Sequence, residues 1–105
     1  MTIENGKYSF GFWAGMPYGT VTDKFEDFQR FPNKISKKKV ISHIENLNDW
    51  IASEMSTDIF TGERFNAGFY EDGDFIFPVD FLRYYKSKDI GIPPEYETYL
   101  NTILN

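Results

Sequence analysis

The chain has 105 residues, no cysteine, 11 basic and 16 acidic side chains and a formal net charge of −5. That length suits one domain with its own apolar core, and the lack of cysteine excludes disulfides, thiolate zinc sites and cysteine nucleophiles. A net negative chain argues against direct nucleic-acid binding, which needs a basic face, and no apolar run approaches the roughly 20 residues of a membrane span.

Met1 to Lys7 lacks the apolar core of a secretory signal, which with the absent cysteines fits a reducing cytoplasm. Tyr8 to Trp13 alternates large and small residues and reads as a strand. Ala14 to Gly19 holds Gly15, Pro17 and Gly19 and reads as a loop, with Tyr18 to Thr22 returning as a second strand of a hairpin. Asp23, with Glu26 three residues on, predicts the cap of a short helix carrying Phe25, Phe28 and Phe31 and stopped by Pro32. Asn33 to Lys39 is polar and basic and reads as a mobile connection, so Lys34, Lys37, Lys38 and Lys39 are solvated. Lys39-Val40-Ile41 reads as a short strand.

Ser42-His43-Ile44-Glu45 matches a capping box. Ile44, Leu47, Ile51 and Met55 then share one helical face, which predicts a helix over 43–54. Starting it there also keeps three lysines out of a first turn that the helix dipole makes unfavourable to cations. Ile59 to Asn66 carries a turn at Thr61-Gly62. Asn66 to Tyr70 and Phe75 to Phe77 predict the strands of a second hairpin around Glu71-Asp72-Gly73-Asp74, because Asp-Gly between aromatic runs is a strong turn signal. Pro78 ends that hairpin. Val79, Phe81, Leu82 and Tyr85 suit a helix to about Ser87, and Pro93-Pro94 opens a last helix striped by Tyr96, Tyr99, Leu100, Ile103 and Leu104. The sum is an α+β domain over 1–105 with two β-hairpins and three to four helices.

Charge is concentrated in the middle. Glu45 to Asp80 holds nine acids and one base, Arg64, a net of −8, whereas residues 1–44 carry +3 and 81–105 are neutral. Aromatics make up 19% of the chain. They are too many for so small a core, so several are expected on the surface, where Tyr and Trp favour binding. The one histidine, His43, reads as a surface residue beside a helix cap. No serine sits in a Gly-x-Ser-x-Gly elbow, so no catalytic residue is assigned. With Gly73 set at the glycine of a calcium loop, the ligand positions fall on Gly68, Tyr70 and Val79, so no metal is assigned either. No phosphate loop or cofactor motif occurs. What remains is an acidic, aromatic surface: Tyr70, Glu71, Asp72 and Asp74 at an exposed hairpin tip, with Asp58 and Glu63, as partner-binding residues.

Phe75-Ile76-Phe77-Pro78-Val79-Asp80-Phe81-Leu82-Arg83-Tyr84-Tyr85, followed by Ile90-Gly91-Ile92-Pro93-Pro94-Glu95-Tyr96, resembles small bacterial immunity proteins encoded beside polymorphic toxins, as in contact-dependent growth inhibition. The resemblance covers residues 40–105 and transfers no particular residue. It implies a non-enzymatic inhibitor that binds a cognate, basic toxin domain, commonly a nuclease, and blocks it. Other classes stay open: a small-ligand or adaptor domain with a pocket at Trp13, Tyr18 and Phe28; a phage-type nuclease inhibitor that mimics nucleic acid; and an enzyme using Asp72 with Asp74, or Glu95 with Glu97. The oligomeric state is left undetermined.

Overall fold

A computed structural model describes residues 2–4, 6–12, 23–47 and 50–104, with side chains described outside 2–4 and 50–54. The elements run β1 (Thr2–Glu4), β2 (Lys7–Ser9), α1 (Phe25–Phe28), α2 (Lys37–Glu45), β3 (Trp50–Thr57), β4 (Arg64–Asp72), β5 (Phe75–Pro78), α3 (Val79–Ser87) and α4 (Pro94–Leu104). The strands form one mixed sheet in the order β1-β2-β5-β4-β3. β2 and β5 are parallel; the other neighbours are antiparallel. The fold is therefore α+β. β1–β2 and β4–β5 are hairpins, and β3 extends the second across the 58–63 turn.

The β4–β5 hairpin shows how local residues set the frame. Its two-residue turn is Gly73-Asp74, with Gly73 at φ +59°. Phe75 and Phe77, two apart, fall on one face and are buried. Pro78 closes the strand and stands at the N-cap of α3, so the chain passes from sheet to helix without a loop. Asp80 in the first turn of α3 and Lys86 in its last complement the helix dipole. Pro94 opens α4, with Glu95 and Glu97 in its first turn.

The core is mainly aromatic. Phe10 is fully buried, and its ring meets those of Phe77 at 4.8 Å, Phe81 at 5.1 Å and Tyr96 at 5.2 Å between centroids. Val40, Ile44, Ile90, Ile92 and Leu100 close the gaps between rings. This burial absorbs the aromatic excess. Among the described residues Phe60 alone is an exposed aromatic, not the several expected.

Other expectations change as well. The helix predicted over 43–54 is instead α2, which starts six residues earlier, followed by a strand. Ser36, not Ser42, caps α2, accepting from the Lys39 amide. Lys37, Lys38 and Lys39 do occupy the first turn, and Lys39-Val40-Ile41 is helical. The dipole penalty is only about 0.3–1 kcal/mol per cation. Lys37 offsets it by donating to the Lys88 carbonyl at 2.8 Å, at the end of α3, and by lying over the Tyr85 ring. Residues 50–57 pair with β4 from Trp50↔Tyr70 to Thr57↔Arg64, and a bulge between Ala52 and Met55 spoils the two-residue period that would have marked a strand. Asp23 does not cap α1, whose N-cap is Lys24; it accepts from the Gly11 amide at 2.7 Å. Of the expected first hairpin, Ala14 to Gly19 and Tyr18 to Thr22 lie outside the described residues, and β2 pairs with β1 and β5.

Gly73→Ala should destabilise the fold by about 2–3 kcal/mol. A positive φ costs an L-residue about 1–2 kcal/mol, and the new Cβ would stand 2.6 Å from the Tyr99 hydroxyl. Gly62→Ala, at φ +78° with nothing within 4 Å, should cost only the backbone share. Urea midpoints compare the two; equal losses would show that Tyr99 does not constrain the turn.

Candidate functional site

The six predicted partner-binding residues fall at two ends of β4. Asp58 and Glu63 border the turn that leads into the strand, and Tyr70, Glu71, Asp72 and Asp74 lie at its far end. Nine residues at about 3.3 Å each separate the groups by nearly the length of the sheet. They do not form one site.

At the far end, the expected tip of three solvated acids is corrected. Because the turn is Gly73-Asp74, Asp72 is the last residue of β4, opposite Phe75, and is only 5% exposed. Its Oδ2 takes the Tyr96 hydroxyl at 2.6 Å and faces His43 Nε2 at 2.8 Å, and its Oδ1 takes the Tyr99 hydroxyl at 3.3 Å. Burial, then Asp72 itself, pushes the Tyr96 phenol far above its ordinary value and raises that of Tyr99. Both phenols therefore stay protonated and donate. His43 is not beside an N-cap; it lies in the last turn of α2 and is half-buried against Asp72. A groove of about 350 Å³ beside it is lined by Lys39, Ser42, His43, Asn46 and Leu104. Glu71 pairs with Lys7 at 3.0 Å, and Asp74, 71% exposed, projects from the tip with its carboxylate 3.9 Å from the same ammonium. Tyr70 is half-buried against Phe77, and burial, then Glu45, raises its phenol.

At the near end, a dense set of bonds builds a rigid turn. The Asp58 amide donates to the Glu63 carbonyl, and the Gly62 amide donates to the Asp58 carbonyl. Asp58 Oδ1 accepts from the Phe60 and Thr61 amides at 2.8 and 3.0 Å, as short acidic side chains do in turns. Its Oδ2 accepts from Arg83 Nε at 2.9 Å, and Arg83 Nη2 donates to Glu63 at 3.1 Å. The Ile59 amide donates to the Tyr84 hydroxyl at 2.9 Å. Burial alone would push the Asp58 carboxyl up; the Arg83 hydrogen bond, the two amides and the Arg83 charge outweigh it and hold it below its ordinary value. The turn is thus fastened to α3, and its central residues face outward: Ile59 is 38% and Phe60 48% exposed, with Met55 exposed on the strand before them. Lys88 lies over the Phe60 ring, 4.4 Å from its centroid.

Charge singled out Asp58 and Glu63 in the sequence, whereas Ile59, Phe60 and Arg83, which the structure places beside them, carried no such mark. The available signal was two large apolar residues between Asp58 and Gly62, outside any helix or strand period. The other candidates disperse. Phe28 is core, while Trp13 and Tyr18 lie outside the described residues. Asp72 is buried and Asp74 exposed; Glu95 is exposed, whereas Glu97 accepts from Asn33 and from the Lys34 and Ile35 amides. Among the described residues no cluster of three His, Cys, Asp or Glu could hold a metal ion.

Asp72→Asn should cost about 2–3 kcal/mol in urea denaturation, because an amide replaces one acceptor oxygen where three donors converge. Asp74→Asn, in water, should stay within about 0.5 kcal/mol of the parent. Acid should weaken the protein through Asp58 and Glu97. Burial raises the Glu97 carboxyl, but the Ile35 and Lys34 amides and Asn33 more than offset it, so it too is held low. A lowered folded value contributes stability above the unfolded pKa, near about 4, and loses it as pH falls through the folded value. Melting temperature should therefore drop below about pH 4, and less steeply in Asp58→Asn; parallel profiles would count against the Asp58 share. No family model, curated protein or solved structure matches this chain.

Proposed function

We propose that this protein is a non-enzymatic inhibitor of the immunity class, which binds and neutralises a cognate toxin domain with a basic, nuclease-type surface. The observation that carries the reading is the pinned 58–63 turn. Isolated exposed apolar side chains are ordinary. Here a buried carboxylate, a phenol and a two-pronged arginine bridge fix the backbone of the turn, and the Phe60 ring is held edge-on to Phe25 and Tyr84 with 48% of the residue still exposed beside Ile59. Such pre-organisation lowers the entropy lost on association, and an aromatic anchor ringed by polar groups is the usual centre of a binding hot spot.

Electrostatics has a smaller share than the acidic block suggests. Asp58, Asp72 and Asp80 are buried, and Glu45, Glu63 and Glu71 pair with Lys86, Arg83 and Lys7. The net charge of −5 still favours approach to a basic partner. Apolar contact at the turn would then govern dissociation. Asp58 and Glu63 act in this reading as the turn's braces, and Glu71 and Asp74 as distant steering charges.

Co-expression with the toxin domain encoded beside its gene should restore growth and yield a one-to-one complex. Ile59→Ala with Phe60→Ala should weaken that complex by about 100-fold or more, since hot-spot truncations cost about 2 kcal/mol each. Glu71→Gln with Asp74→Asn should lower only the association rate, chiefly at low salt. Unrelieved toxicity, or an affinity unchanged by the double alanine variant, would overturn the assignment.

A further inference from the structure

We infer that the groove between α3 and β4 is a site for a small planar organic anion, an aromatic carboxylate or sulfonate, gripped by Arg83 and Lys88 above an apolar floor. The groove adjoins the 58–63 turn and shares Asp58, Thr61 and Arg83 with it, but its ligand does not depend on the inhibitor reading. The groove measures about 620 Å³, within the roughly 300–1,000 Å³ of small-molecule sites. Phe65, Val79 and Leu82 supply its apolar surface, and Arg83, Lys86 and Lys88 its cations. The one acid in the lining is Asp58, which is buried with both oxygens engaged.

The donors left over define the ligand. Arginine carries five N–H groups. Arg83 uses Nε–H on Asp58 and one Nη2–H on Glu63. The other three, both on Nη1 among them, have no partner among the described residues. The guanidinium lies over the Phe65 ring, 4.5 Å from the centroid. Nη1 and the remaining Nη2 hydrogen form a fork that matches two oxygens of a carboxylate or sulfonate. Lys88 Nζ, on the same rim, lies over the Phe60 ring but has no carboxylate within ion-pair range among the described residues, whereas Lys86 is paired with Glu45 at 2.9 Å. Glu45, Asp58 and Glu63 equal the three cations in number, so a strong general field is absent. Selection comes from the free donors and the apolar wall, which a flat ring fused to an acid satisfies together. Affinity is correspondingly modest, with Kd about 0.1–1 mM for a ligand of two fused rings.

The test is a titration of the ¹⁵N-labelled full chain with 1-naphthoate, followed by amide chemical shifts. Saturable shifts should centre on residues 61, 65–66 and 79–88, and 1-naphthalenemethanol, its neutral analogue, should bind at least about tenfold more weakly. Lys88→Gln should raise Kd about two- to fivefold, the share of one exposed charge. Asn66→Trp, a change at an exposed strand position lining the groove, should block binding while circular dichroism stays that of the parent. Both variants spare Arg83, whose loss would also release the turn. Shifts centred elsewhere, equal binding of the alcohol, or a Kd indifferent to both substitutions would overturn the proposal. Toxin neutralisation by Asn66→Trp reads out separately, so failure of the groove and failure of the inhibitor reading remain distinct.

Discussion

The structure depends on one buried carboxylate. Asp72, at the end of β4, gathers the His43 imidazole from α2 and the Tyr96 and Tyr99 hydroxyls from α4. Removing a carboxylate from water costs several kcal/mol, and each hydrogen bond to a charged group returns about 1.5–3 kcal/mol. Together these contacts offset the burial. The same node explains the glycine beside it, since Tyr99 approaches so closely that a Cβ at Gly73 would meet its hydroxyl. The turn, two helices and the sheet edge at this end are therefore one mutually dependent unit.

The pattern recurs along the chain. Asp80, fully buried in the first turn of α3, accepts from Ser56 of β3 at 2.5 Å. Asp58 braces the following turn, Asp23 takes the Gly11 amide, and Glu97 takes two amides of the 33–35 segment. Acids join elements that the aromatic core, which is non-directional, cannot orient by itself. Much of the negative charge is structural for that reason, and the surface it leaves is less acidic than a residue count implies. What remains on the surface is the half-exposed apolar tip of the 58–63 turn, with Phe60 resting on Phe25, Tyr84 and Lys88, together with the unused donors of Arg83 alongside it.

The legible parts were those specified by neighbouring residues. Pro78, Pro94 and Gly73 act through backbone geometry, and they marked the β4–β5 hairpin, α3 and α4 closely. The α2–β3 region was not legible. Ser42 with Glu45 offers a better local cap than Ser36, and Ile44, Leu47, Ile51 and Met55 keep helical spacing. Pairing with β4 outweighs that preference, and the bulge between Ala52 and Met55 hides the strand's own period. In the candidate site, charge singled out Asp58 and Glu63, but nothing local ties either to Arg83, 20 or more residues away.

From the sequence alone came the α+β class, the Asp-Gly hairpin and the last two helices, because propensity, proline and glycine act over a few residues. The tertiary structure alone decided which acids face water. A one-residue shift of the turn, from Asp72-Gly73 to Gly73-Asp74, carries Asp72 from solvent to the core side of the sheet, since side chains alternate faces at every step of a strand. Partners for that carboxylate come from two distant helices, and no local pattern encodes their meeting.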